Sequence, residues 1–161
     1  MTAFLTSLSG ASWIAAGLSC FGLTVVSAIV PWVNAEIILL SFVALAHSRT
    51  QLALVVVIAT AGQMAGKCVV FWAGRRGERW RGHNSELAQR WRQRLTATPW
   101  RANALVLLSS AVGVPPFFLV TLAAGAAGVN FRGFLVAGTV GRLVRFGALA
   151  FLPHAILHAG R

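Results

Sequence analysis

Four charged side chains interrupt long apolar runs in this chain: Glu36, Lys67, Arg142 and Arg145. A charge at membrane depth costs at least a few kcal/mol on insertion scales, so it is kept for a reason that is usually functional. A lone carboxylate among cations is the candidate proton carrier or gate, and that role falls to Glu36. The planar guanidinium of arginine grips phosphate oxygens in a two-pronged hydrogen bond. Arg142 and Arg145 are three residues apart, which places them on one helix face. Buried charges need partners, yet here three cations face one acid, a surplus near +2 that asks for an anion or for water. Lys67, Gln63 and Asn34 add an ammonium and two amides, so the candidate binding set is Arg142, Arg145, Lys67, Gln63 and Asn34. A static salt bridge that merely holds helices together is the competing reading.

These residues sit in an unusually apolar chain. Its 161 residues are 57% hydrophobic and include three acids, Glu36, Glu78 and Glu86. A water-soluble domain carries about 25% charged residues, against 11% in this chain. Residues 2–35, 50–66 and 102–131 hold no Asp, Glu, Lys or Arg, and the first and last runs are long enough to cross a hydrocarbon core of about 30 Å or to turn back within it. The fold class expected is all-α: a polytopic integral membrane protein forming one domain over residues 1–161. The net charge of +11 does not imply nucleic acid, because eight of the fourteen basic residues fall within Arg75–Arg101, beside apolar spans and among tryptophans. That clustering suits an anionic membrane surface. The first twenty residues lack a basic leader and a cleavage site, so no removable signal peptide is expected.

Each element that positions the charges is marked by a breaker. Pro31 interrupts the apolar stretch 10–46, removing a backbone donor and clashing with the preceding turn. Asn34 and Glu36 follow at once. Broken backbone at membrane depth is tolerated only when buried in protein or facing water, so a helical hairpin with its tip inside the protein is expected. After the polar turn 47–51, Leu52–Ala73 reads as a full span, with Gly62 and Gly66 forming a small face for close helix approach. Pro115 and Pro116 split 102–129 into two arms of about thirteen residues, each too short to cross. Gly133–Leu152 is then a second full span. The plan therefore repeats: 10–74 is a first unit of hairpin and span, 102–159 a second, and 75–101 a basic connector. One intervening span makes the repeat inverted, an arrangement that secondary transporters use to build a midplane site.

Within the connector, Leu87, Trp91 and Leu95 recur on one helix face with Arg90 and Arg94 on others. That is the pattern of a helix lying in the headgroup region, and Arg90, Trp91 and Arg94 are the candidate lipid-surface residues. Thr98-Pro99 restarts a helix. Positive residues mark the cytoplasmic side, which puts 75–101 inside, 47–51 outside, 130–132 inside and 158–161 outside. Helical rise of about 1.5 Å per residue places Glu36, Lys67, Arg142 and Arg145 about 12–20 Å from the nearest polar turns. All four are expected at middle depth.

Other groups carry less. His154 and His158 are four apart without an evident third ligand, so no metal site is expected. Cys20 and Cys68 read as small buried fillers. Ser109 and Ser110 read as backbone-bonding hydroxyls beside the second break. No nucleophile–base set, phosphate-binding glycine loop or zinc spacing is present, so an enzyme is disfavoured and no cofactor is expected.

Pro31, then Ala35-Glu36-Ile37-Ile38-Leu39, Gly62, Gly66 and Gly74-Arg75-Arg76-Gly77 resemble the DedA/VTT-domain family, also called SNARE-associated Golgi protein-like. Val114-Pro115-Pro116-Phe117, Ala124-Gly125, Phe134-Leu135 and Gly141-Arg142-Leu143-Val144-Arg145-Phe146 resemble its short YqaA-like branch. The resemblance implies paired re-entrant hairpins with membrane spans and movement of lipids across bilayers, undecaprenyl phosphate in bacteria and phospholipids in eukaryotes, with proton-motive force implicated in the bacterial case; for this chain it implies a bacterial inner membrane. By the same resemblance Glu36 matches the acidic position of the first hairpin, and Arg142 and Arg145 match the basic pair of the last helix. One departure is plain: Ser109–Phe118 carries no charge, where longer DedA members have arginines around the proline. The function expected is a flippase-like transporter for a phosphate-bearing lipid, with anionic lipid as partner and a homodimer plausible at this size. The alternatives are a membrane-organising or assembly partner that transports nothing, and an exporter or channel for a small anion.

Overall fold

The computed structural model describes residues 2–46, 48–81 and 99–159. Among these residues the protein is all-helical, with α1 (Thr2–Ile29), α2 (Ala35–Ala44), α3 (Arg49–Arg81), α4 (Pro99–Val112), α5 (Phe117–Ala126) and α6 (Phe131–Ala159). Three helices hold segments long and apolar enough to cross a membrane: Ser12–Ile29, Arg49–Gly77 and Phe131–Phe151. By contrast α4 has 14 residues and α2 and α5 have 10 each, about 21 and 15 Å at helical rise.

The breaks fall where backbone chemistry demands them. α1 stops at Ile29, and Pro31 lies in the turn before α2. The side chain of Asn34 then restarts the helix by accepting the Glu36 N–H at 2.9 Å, satisfying a donor that a helix start leaves free. α3 opens on a reciprocal cap: Ser48 Oγ accepts from Gln51 N–H and Gln51 Oε1 from Ser48 N–H, both at 3.2 Å. In the second half, α4 ends one residue before Gly113, whose φ of +89° is a left-handed value, and Pro115-Pro116 follow. α5 closes through Gly128, with Val129 N–H reaching back to the Ala124 carbonyl at 3.0 Å and Gly128 N–H to Gly125 at 3.1 Å. Asn130 Oδ1 then caps α6 on Arg132 N–H.

α3 departs from the expected span in one respect. It continues as helix through Arg81, so the first seven residues of the basic connector extend the span. Nothing from Arg75 to Arg81 breaks a helix as proline would, and Arg, Glu and Trp all tolerate one. The stretch 82–98, which contains Arg90, Trp91 and Arg94, lies outside the described residues.

α1 packs along α3, α4 along α6, α5 against α3, α2 against both α3 and α6, and α3 against α6. Two apolar cores result. One joins Cys20, Leu39, Val43 and residues 52–59 of α3 to Phe146 and Ala150 of α6. The other joins Met64 and Phe71 of α3 to Phe117, Val120 and Ala124 of α5 and Phe134 of α6, with the Phe71 and Phe134 rings stacked at 4.8 Å. The N-terminal part of α3 thus shares a core with the C-terminal part of α6, and the reverse holds at the other end. The two helices run antiparallel, and their middle stretches carry Gln63, Lys67, Arg142 and Arg145.

Close approach fixes the α1–α3 crossing. A Cβ added at Gly62 would stand 2.6 Å from the Phe21 carbonyl oxygen, and one at Gly66 2.6 Å from that of Val25. The helices therefore touch backbone to backbone, as small-xxx-small faces allow in membranes. Gly66→Leu should force them apart at a cost of about 1–3 kcal/mol. Gly22→Leu, on a face of α1 where a Cβ meets nothing within 4 Å, should leave stability nearly unchanged. Thermal unfolding of the two variants in detergent checks this; equal midpoints would contradict the packing account.

Candidate functional site

The charges meet where the two breaks face each other across α3 and α6. Glu36 lies in the first turn of α2, and its Oε1 accepts from Arg145 Nε at 2.8 Å and from Arg145 Nη2. The pair is about a quarter exposed, with side chains 22% and 30% accessible for Arg145 and Glu36. Arg145 Nη1 also donates to the Ala111 carbonyl at 3.4 Å, and a Cβ on Gly113 would come within 2.5 Å of it. One side chain on α6 thereby touches both hairpin breaks. The acid-free second break receives its charge from a distant helix.

The other two cations have no acid partner among the described residues. Lys67 is 4% exposed; its Nζ donates to the Ala28 carbonyl at 2.8 Å and stands 5.6 and 5.2 Å from the centroids of the Phe117 and Phe118 rings. Ala28 lies in the last turn of α1, where carbonyls are left free for such a donor. Arg142 lies over Phe117 at 5.0 Å and Phe146 at 5.4 Å, and its buried Nε has no hydrogen-bond partner. Phe117 thus stands between two like charges and offers each a ring. A ring face contributes about 0.5–2 kcal/mol to a cation, less than a buried carboxylate would supply.

Beside these groups lies a cavity of about 450 Å³, lined by Ser27, Asn34, Glu36, Gln63, Lys67 and Arg142 together with the proline-bearing turns 31–33 and 116–118. Gln63 is 1% exposed and is held by α1, donating to Ser27 Oγ at 2.6 Å and to the Thr24 carbonyl at 3.2 Å. A larger apolar groove between α1 and α3, lined by Trp13, Phe21, Phe42 and Ile58, carries no charge. The chemistry is in the polar cavity.

Of the residues singled out from sequence, Glu36, Asn34, Gln63, Lys67 and Arg142 line this cavity. Arg145 is adjacent but turned to Glu36, so the two arginines sharing a helix face divide into one with an internal acid and one without. Pro31 and Pro116 lie at the rim, and the Pro115 carbonyl accepts from Ser109 Oγ at 2.6 Å. Sequence reasoning overlooked Ser27, Phe117 and Phe118. Ser27 had a signal, being the only polar residue between Thr24 and Pro31; the phenylalanines had none, because an aromatic in an apolar run reads as core. Cys20 and Cys68 are free thiols, the first buried. No cluster able to hold a metal occurs among the described residues, which exclude the side chains of His154 and His158.

A family model described as the VTT domain matches residues 30–154. The matched region begins at the first break and contains all four mid-chain charges. No curated protein and no solved structure matches the chain.

The ion pair and the unpaired cation should respond oppositely to neutralisation. Glu36→Gln and Arg145→Gln should each destabilise the protein, and the double variant should lose less than their sum, a coupling of about 1–3 kcal/mol. Arg142→Gln removes a cation that has no acid of its own, so it should leave the melting temperature unchanged or raise it. A double-mutant cycle read by thermal unfolding in detergent tests both statements, and additivity at Glu36 and Arg145 would refute the first.

Proposed function

The chain belongs to the VTT-domain family, also known as the DedA or SNARE-associated Golgi protein family, and on that premise we propose that it moves a phosphate-bearing lipid across a bacterial inner membrane. The observation that carries this reading is the cavity between the two breaks, with Lys67 and Arg142 held at its wall and its one lining acid among the described residues, Glu36, already bound by Arg145. Two cations at middle depth in an apolar protein favour an anionic occupant, and a headgroup phosphate offers oxygens in the geometry that guanidinium binds best. Arg142 and Lys67 receive the headgroup, Gln63 and Asn34 supply amides at its edge, and Arg145 keeps Glu36 in place. Glu36 is the member assigned to proton coupling, and its carboxylate ties α2 to Arg145 of α6.

The proposed architecture is an inverted repeat of two proline-broken hairpins, each followed by a span; α1 is long enough to cross by itself, so re-entrance is proposed for α2 and for the pair α4 and α5. Its support is the packing order: α1 lies on α3 as α4 lies on α6, while α5 reaches across to α3 and α2 to α6. In this arrangement α2, α4 and α5 are too short to cross and their broken backbone lines a cavity, where irregular structure is tolerated. The segment 75–101 is cytoplasmic and gathers anionic lipid through its arginines. The protein works without a cofactor and as a transporter, not an enzyme. The Glu36–Arg145 pair by itself would suit a static organising role as well; Lys67 and Arg142, which form no salt bridge among the described residues, favour the transport reading.

Reconstituted proteoliposomes test the proposal through the accessibility of a phosphate-lipid headgroup on the two leaflets. Arg142→Ala and Glu36→Gln should each slow headgroup movement by about tenfold or more, the loss expected for one charge-assisted hydrogen bond. Unchanged transport in both variants would rule out the assignment, and ion flux without lipid movement would point to a small-anion channel.

A further inference from the structure

The two hairpins present opposite kinds of helix start to the cavity. At α2 the start is filled from within: Asn34 caps it, and Glu36, its second residue, brings a carboxylate into the first turn. At α5 the first turn contains no acid, and no side chain caps it at Pro116. The N–H groups of Leu119 and Val120 both turn back to the Pro116 carbonyl, at 3.0 and 3.2 Å. The N–H groups of Phe117 and Phe118 are those that a helix start leaves for an outside acceptor, and the aligned peptide dipoles place about half a positive charge there.

A helix start alone is not a site, but this one opens into the cavity, whose lining includes Pro116, Phe117 and Phe118. Lys67, 4% exposed, stands 5.2 Å from the Phe118 ring. Arg142, with its buried and unpartnered Nε, stands 5.0 Å from the Phe117 ring. Glu36 lines the same cavity but is bound by Arg145, so three sources of positive potential converge at α5 against one carboxylate that is already engaged.

We propose that the first turn of α5 is the oxyanion seat of the cavity: a phosphate group takes the Phe117 and Phe118 N–H groups together with Lys67 and Arg142, standing at α5 where Glu36 stands at α2. This deepens the lipid-phosphate reading and rests on it for the identity of the headgroup. The seat itself recognises a compact tetrahedral oxyanion, whether carried by a lipid or free in water. Backbone donors fixed at a helix start make a ready-made anion site, and phenylalanine at 118 leaves the first turn of α5 without a carboxylate of its own.

The closing experiment puts one in. Phe118→Glu places a carboxylate at the second residue of α5, as Glu36 is at α2, while Phe118→Gln places a neutral group of equal size. The purified full-length protein in detergent is titrated with dihexanoyl phosphatidic acid and, separately, with inorganic phosphate. Phe118→Glu should weaken binding of the phosphate probes by about tenfold or more, and Phe118→Gln should stay within about threefold of the unmodified protein. Undiminished binding in Phe118→Glu, or equal loss in both variants, overturns the seat. Should Phe118→Glu fail to fold, Phe117→Ala keeps the first N–H and Phe117→Pro removes it, at a position where the extended Pro116 backbone (ψ 123°) accepts a following proline. Weaker binding in the proline variant supports the seat, and equal binding overturns it. Binding of inorganic phosphate that is sensitive to Phe118→Glu, without phosphatidic acid binding or lipid transport, keeps the seat and discards the lipid. Lipid transport indifferent to Phe118→Glu discards the seat and keeps the lipid.

Discussion

The tie that the rest of the molecule hangs on is the guanidinium of Arg145, which holds Glu36 at the first break and the Ala111 carbonyl at the second. Each break leaves backbone groups without helical partners, and each would be costly to leave bare at membrane depth. A single planar fork with five donors can serve a carboxylate and a carbonyl at once, which a lysine ammonium does with far less geometric definition. The position of Arg145 in the middle of α6 makes this possible, because α6 contributes Phe134 to one apolar core and Phe146 and Ala150 to the other. The charge sits at the junction of the two cores, where the packing of α3 against α6 is interrupted by polar residues. Gly113, with its left-handed backbone, leaves the space beside Arg145 that a Cβ would fill.

Against that satisfied pair, Lys67 and Arg142 are held by weaker substitutes. The Ala28 carbonyl and the rings of Phe117, Phe118 and Phe146 orient the two cations without neutralising them. Desolvating a charge costs several kcal/mol, whereas a ring face or a single carbonyl returns about 1–2 kcal/mol. The cavity beside them keeps polar walls and, at about 450 Å³, has room for an occupant. The same residues are thus consistent with a stable protein and with a ligand that completes it.

The breaks were legible in the sequence because proline acts locally. Pro31 and Pro115-Pro116 remove donors and clash with the turn before them whatever the tertiary context, and the helices stop within three residues of each. Gly62 and Gly66 were legible for a similar reason, since a missing side chain at helical spacing has few other uses in an apolar run. The pairing of the charges was not. Arg142 and Arg145 share a face and a type, and only the folded contact with Glu36 and Ala111, from two other segments, separates them. The extension of α3 through Arg81 was also hidden, because a run of arginines reads equally well as a polar loop or as a helix leaving the membrane. Phe117 and Phe118 were the least visible of all. Their role comes from which cations lie beside them, and that depends on how α5 packs against α3.

The asymmetry between the hairpins follows from where each obtains its charge. The first carries its own acid two residues past an asparagine cap, so its helix start, its carboxylate and the cation from α6 form a closed set. The second carries proline and phenylalanine there, and its helix start meets cations instead of an acid. Like charges in a low-dielectric setting repel, and two cations beside a positive helix end raise the energy of the empty site. An anion entering the cavity removes that penalty without any rearrangement of the Glu36–Arg145 tie. On the proposed reading, the structural work of holding the breaks together and the chemical work of attracting a negative group fall to different cations, and the departure of the second hairpin from the first is what keeps them separate.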